Sequence, residues 1–103
     1  MMEWYNYLAI FFSGAFLSNA VPHFIKGISG DKFPTPFAKP PGQGLSSPTL
    51  NVIWAGFNIV VGVILFKAGK LQTDNILHLV VFFAGFIIMA VLMSKRFSTK
   101  HKE

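Results

Sequence analysis

Cysteine is absent from the 103 residues, which removes disulfides, thiolate metal sites and cysteine nucleophiles and leaves the redox compartment undetermined. Charge is scarce as well: 13% of the residues are Asp, Glu, Lys or Arg, roughly half of what a soluble domain carries. Acidic residues are the rarer sign, four against nine basic, for a net charge of +5. The chain is nevertheless 52% hydrophobic, holds twelve Phe and has a mean hydropathy of +0.53. A soluble domain of this length has neither the core volume to hide those side chains beside every Leu, Ile and Val nor the charged surface to stay dissolved. Lipid can cover what a core cannot. The basic residues flank apolar segments and form no patch interleaved with aromatics, so the positive charge belongs to membrane topology and excludes nucleic acid as a partner. No catalytic, nucleotide or metal motif, internal repeat or heptad pattern is present, and no cofactor is expected.

Three apolar runs fill most of the chain, and the fold class they define is an all-α membrane protein with three transmembrane helices. The first, Trp4 to Ile25, contains no Asp, Glu, Lys or Arg and matches the ~20 residues needed to cross a hydrocarbon core. The second runs over 48–66 and the third over 75–94. Ser47 is placed to cap the second with Pro48 at its first position, Gly69 lies just beyond it, and Thr73 or Asp74 can cap the third. Three buried helices of a soluble protein would need a polar partner layer that this chain lacks. The first run is expected to be retained and not cleaved as a signal peptide, because Met1 to Tyr7 carries only Glu3 and lacks a basic start. The sequence thus divides into one transmembrane domain over 1–103, with a first loop over 26–47 and a basic tail over 95–103.

Counting basic residues orients it. Lys26, Lys32 and Lys39 lie in the first loop and Lys95, Arg96, Lys100 and Lys102 in the tail, whereas Lys67 and Lys70 alone fall in the second loop. The expectation is an N-terminus outside, anchored by Trp4, Tyr5 and Tyr7, with the first loop and C-terminus in the cytoplasm.

The first loop contains Phe33-Pro34-Thr35-Pro36-Phe37-Ala38-Lys39-Pro40-Pro41-Gly42-Gln43-Gly44. Its prolines and glycines exclude regular helix or central strand. Phe33, Phe37 and Leu45 supply apolar anchors that a flexible linker would not carry, so the loop is expected to be ordered, either as a stiff connector at the headgroups or as a binding loop.

The run Asn19-Ala20-Val21-Pro22-His23-Phe24, with Gly27-Ile28-Ser29-Gly30, Phe33-Pro34-Thr35-Pro36-Phe37, Ser46-Ser47-Pro48 and Asn51-Val52-Ile53-Trp54, resembles a family of small bacterial membrane proteins without assigned function. The resemblance covers Asn19 to Asn58. It implies a bacterial inner-membrane protein and carries no activity or residue role.

Polar side chains inside the spans carry the functional information, because each must be satisfied without water. Asn19 and His23 are four apart and share a face; Asn51, Trp54 and Asn58 form one stripe of the second helix at similar depth. Pro22 frees the carbonyl of Ser18 at that level. The asparagines are either interhelical glue or, with His23 and the apolar wall of Trp54, a site open towards the first loop. Lys26, Lys32 and Lys39 with the start of the second helix at Ser47 are candidates for a lipid phosphate. His23 ends the first span on one side while His78 begins the third on the other and His101 is in the tail, so no two share a metal or haem. Gly14 and Ser18, Ala9 and Ser13, Ala15 and Asn19, and Gly56 and Gly62 are small-residue pairs of the sort found at helix contacts.

Three functional classes follow. The leading one is a non-enzymatic membrane module, an oligomer or accessory subunit, that binds a lipid headgroup, small solute or partner protein through the loop and polar cluster. The second is a small oligomeric transporter or channel, disfavoured by the lack of charge within the spans. The third is a membrane enzyme using His23, with Asp31, as acid or base.

Overall fold

The computed structural model of the protein describes residues 2–100; His101 and Lys102 lie outside them. Three helices follow in order: α1 (Trp4–Ile28), α2 (Pro48–Ala68) and α3 (Ile76–Phe97). All three are long and apolar enough to cross a membrane, and the longest dimension of 48 Å exceeds a hydrocarbon core of about 30 Å. This is a multi-pass α-helical membrane protein. Each helix ends two or three residues beyond its apolar run, because Lys26, Lys67, Lys95 and Arg96 are good helix formers that leave the hydrocarbon without leaving the helix. α1 passes through Pro22 unbroken.

The helix starts are set by side chains that satisfy otherwise orphaned amides. Ser47 accepts from the Leu50 amide at 3.1 Å with Pro48 following it. At α3 the cap is Asn75, whose Oδ1 accepts from Leu77 and His78 at 3.0 and 3.3 Å, in place of the expected Thr73 or Asp74. The apolar run begins at Asn75, but its amide carbonyl is the group that reaches two amides of the first turn. Gly69 ends α2 with ordinary right-handed geometry, and Lys70 takes the left-handed conformation at φ 56°. Glycine is needed at 69 for space, since a Cβ there would press on Ile10 and the Asn6 carbonyl.

α1 is the centre. It packs against both other helices, and among the described residues the backbones of α2 and α3 have no packed contact with each other. Between α1 and α2 a ladder of hydrogen bonds runs the length of the pair, its partners descending α2 as they ascend α1. Asn6 Nδ2 donates to the Ala68 carbonyl (3.0 Å), Ser13 Oγ to the Gly62 carbonyl (2.7 Å) and Asn19 Nδ2 to Asn58 Oδ1 (3.1 Å), and His23 Nδ1 bonds Asn51 Oδ1 (2.8 Å). Polar links of this kind specify register where apolar faces slide freely in lipid. α1 meets α3 through backbone proximity instead: a Cβ on Gly14 would fall on the Phe82 carbonyl, and one on Gly85 on the Phe11 carbonyl. Of the small-residue pairs read from the sequence, Gly14, Ser13 and Gly62 are buried at these contacts, whereas nothing lies within 4 Å of where a Gly56 Cβ would project.

The first loop is ordered, as its apolar anchors predict. Phe33 and Ser46 form an antiparallel bridge (3.2 and 3.0 Å), and the Thr35 carbonyl accepts from Ala38 and Gly42 (3.1 and 3.0 Å). Gly42 turns the chain at φ 74°, a left-handed conformation that glycine adopts freely. Phe33 is buried between His23 and Phe97, with ring centroids 5.4 and 4.7 Å away, while Phe37 rests on Trp54 at 5.3 Å and is otherwise exposed. The end of α3 closes over the same loop: Arg96 Nη2 donates to the Pro41 carbonyl (3.3 Å), and Lys100 Nζ lies 5.9 Å over the Phe33 ring.

Candidate functional site

Asn51 is the hub of the loop end. Wholly buried, it directs Nδ2 at three backbone carbonyls, those of Phe33 (2.9 Å), Ser47 (3.0 Å) and Ser46 (3.3 Å). Carbonyls accept and never donate, so the amide nitrogen must face them and Oδ1 must face His23. The His23 Nδ1 therefore carries the proton and donates to Asn51 Oδ1, and in the neutral ring Nε2 is left with a lone pair. A second relay has the same logic. Asn58 Nδ2 donates to the Trp54 carbonyl at 2.8 Å, which fixes Asn58 Oδ1 as the acceptor for Asn19 Nδ2 at 3.1 Å and leaves Asn19 Oδ1 as a free acceptor.

Both residues that carry these free acceptors line one cleft of about 270 Å³. Asn19 and His23 on α1 form its floor, Trp54 on α2 one wall, and Met89, Leu92, Met93 and Arg96 on α3 the other. The loop roofs it with Pro34, Thr35, Pro36, Pro41 and Gly42. The cleft exists because α1 holds α2 and α3 apart while the loop bridges them. It is mostly apolar with a few placed polar groups, the usual build of a ligand site. The Thr35 hydroxyl is spoken for by Ser46 Oγ (2.6 Å) and the Phe37 amide (3.2 Å). Arg96 lies flat against Gly42, where a Cβ would collide with its guanidinium. Trp54 stacks on Phe57 at 5.6 Å and 14°, and its Nε1–H is buried without a partner.

The expected site residues thus divide. Asn19, His23, Asn51, Trp54 and Asn58 are brought together, with Asn51 and Asn58 buried behind the cleft as orienting groups and the other three on its surface. Ser47 is occupied as a helix cap. Lys32 and Lys39 are exposed on the loop and do not line the cleft, and Lys26 borders a different, apolar groove between α1 and α3 with Pro22, Phe86 and Phe97. Arg96 is the basic residue at the cleft, and sequence reasoning assigned it only to topology. Its signal was distance from the loop in sequence, which hides the contact with Pro41. Asp31 does not line the cleft. At the opposite end His78 is buried, its Nδ1 accepting the Gln72 amide at 3.0 Å and its ring edge-on to Tyr7 at 5.8 Å.

The fold and this cleft define a class: a small polytopic helical membrane protein with a loop-roofed pocket at one end of the helices. Comparison with family models, curated proteins and solved structures finds no match to the chain.

Proposed function

We propose that the protein is a non-enzymatic membrane module, working as an oligomer or accessory subunit of a bacterial inner membrane, that holds the headgroup of an anionic lipid in the loop-roofed cleft. The observation that carries this reading is Arg96, a cation at the rim of a pocket whose remaining walls are apolar and continuous with lipid-facing side chains such as Leu92. A guanidinium pairs with phosphate through directed hydrogen bonds and stays charged at every physiological pH. Among the described residues, His23 Nδ1 is committed to Asn51 and the ring's aromatic neighbours are Phe33, Trp54 and Phe97, so none of these contacts pairs it with a second acid or base.

Native mass spectrometry of the purified protein tests the reading. Wild-type protein is expected to retain anionic phospholipid selectively, and Arg96→Gln to lower that retention about tenfold, the equivalent of ~1.4 kcal/mol. Replacing Lys26, Lys32 and Lys39 together by Gln should weaken retention less steeply, since these exposed lysines do not line the cleft and act by attracting an anionic leaflet in which the purified protein no longer sits. Retention unchanged in Arg96→Gln would remove the cleft from the account.

Orientation belongs to the same proposal. With the loop and C-terminus cytoplasmic, Gln43→Cys should be shielded from an impermeant thiol reagent in intact cells and Gln72→Cys labelled; both positions are exposed on the protein surface. The opposite labelling pattern would invert the topology.

A further inference from the structure

We infer that the cleft selects a phosphodiester lipid whose headgroup carries a free hydroxyl, a conclusion that deepens the anionic-lipid reading and rests on it. The argument is the polarity of the floor. Two carbonyl-anchored amides, Asn51 and Asn58, set the direction of the two hydrogen bonds made by the floor residues, so that His23 Nε2 and Asn19 Oδ1 are the lone pairs these cleft-lining residues have left to offer. A phosphate oxygen has no proton to give them. Lone pairs facing a bare phosphodiester would be desolvated without compensation, and a site of this build rejects a ligand that lacks the matching donor. The ligand must therefore offer an acceptor to Arg96 and a donor to His23 and Asn19. An ammonium would satisfy the floor but would bring its charge beside Arg96, whereas a hydroxyl supplies a neutral donor. The apolar remainder of the ligand runs along Met89 and Leu92, away from the loop roof.

Phosphatidylglycerol and phosphatidylmethanol with identical acyl chains test this, since they carry the same charge and differ in the headgroup hydroxyls. Binding to the full chain in nanodiscs is read from Trp54 fluorescence in a Trp4→Phe background, the protein having two tryptophans. Trp4 is exposed near the opposite end. Phosphatidylglycerol is expected to bind at least fivefold more tightly than phosphatidylmethanol. His23→Phe should bring that ratio close to one, and His23→Gln, which can again present an acceptor, should recover part of it. Asn19→Val removes the second lone pair without touching the His23–Asn51 bond and should lower the ratio even if His23→Phe fails to fold. Equal binding of the two lipids by wild-type protein, or a ratio that Asn19→Val and a folded His23→Phe both leave unmoved, overturns the hydroxyl selection and leaves the anionic-lipid site standing. Binding of neither lipid above phosphatidylcholine overturns both.

Discussion

Leucine at Gly85 or Gly14 is expected to strip α3 from α1, with a loss of roughly 3 kcal/mol or more at either position. The two glycines form a reciprocal contact. Gly14 faces the carbonyl of Phe82 and the amide of Phe86, and Gly85 faces the carbonyl and Cα of Phe11. What a new side chain would meet is backbone on a helix whose own hydrogen bonds hold it in place, so no rotamer change relieves the collision. Along α1 and α2 the alternative attachment is a ladder of directed hydrogen bonds, whereas α1 and α3 rely on this close approach. Gly56→Leu is the control, because nothing lies within 4 Å of the added Cβ; it should shift stability by no more than about 0.5 kcal/mol. Thermal unfolding in detergent, followed by size-exclusion profile, reads all three. A Gly85→Leu protein as stable as Gly56→Leu would mean that α3 does not pack on α1 in this register.

The spans were legible because lipid imposes a strong and local rule: long runs without charge are spans, and Ser47-Pro48 marks a helix start. The pairing of Asn19 and His23 with the Asn51–Asn58 stripe was also legible in position, since amides four or seven residues apart share a helix face and cannot be left in hydrocarbon. What the chain did not announce are partners that are backbone atoms. Asn6 finds the Ala68 carbonyl and Ser13 the Gly62 carbonyl, and every residue has a carbonyl, so no pattern in the letters points to these two. Gly85 escaped for a related reason. Small-residue spacing within one helix does not reveal it, because Gly85 meets the Gly14 turn of α1 across helices and its own helix offers it no small neighbour at contact spacing. Arg96 reads as a topology signal in every local window; only the docking of the loop under the end of α3 makes it a wall of the cleft.

Asn51→Ala is expected to cost about 3 kcal/mol and to free the loop, more than any other polar substitution in the spans. The side chain serves two structures at once. Its two N–H groups reach the carbonyls of Phe33, Ser46 and Ser47, tying both strands of the loop bridge to the first turn of α2, and its Oδ1 accepts a hydrogen bond from His23 Nδ1. Truncation leaves the His23 N–H buried at 2% exposure without an acceptor, a deficit of about 1–3 kcal/mol, with roughly 0.5 kcal/mol, the low end for a hydrogen bond, for each of the loop bonds lost. The loop carbonyls suffer less, because Phe33 and Ser46 still bond each other's amides and the Ser47 carbonyl still takes the Asn51 amide. Asn58→Ala removes one relay bond and one bond within its own helix, so a loss of about 1–2 kcal/mol is expected there. Asn51→Asp separates the two duties: it keeps an acceptor for His23 but turns a carboxylate oxygen towards three carbonyls, and it should destabilise the loop as severely as alanine does. Trypsin cleavage after Lys32, next to the bridged Phe33, reads the loop directly and should accelerate at least tenfold in Asn51→Ala and Asn51→Asp but not in Asn58→Ala. An Asn51→Ala protein with wild-type melting temperature and wild-type cleavage at Lys32 would mean that burial of Phe33 and its bridge to Ser46 hold the roof without the amide.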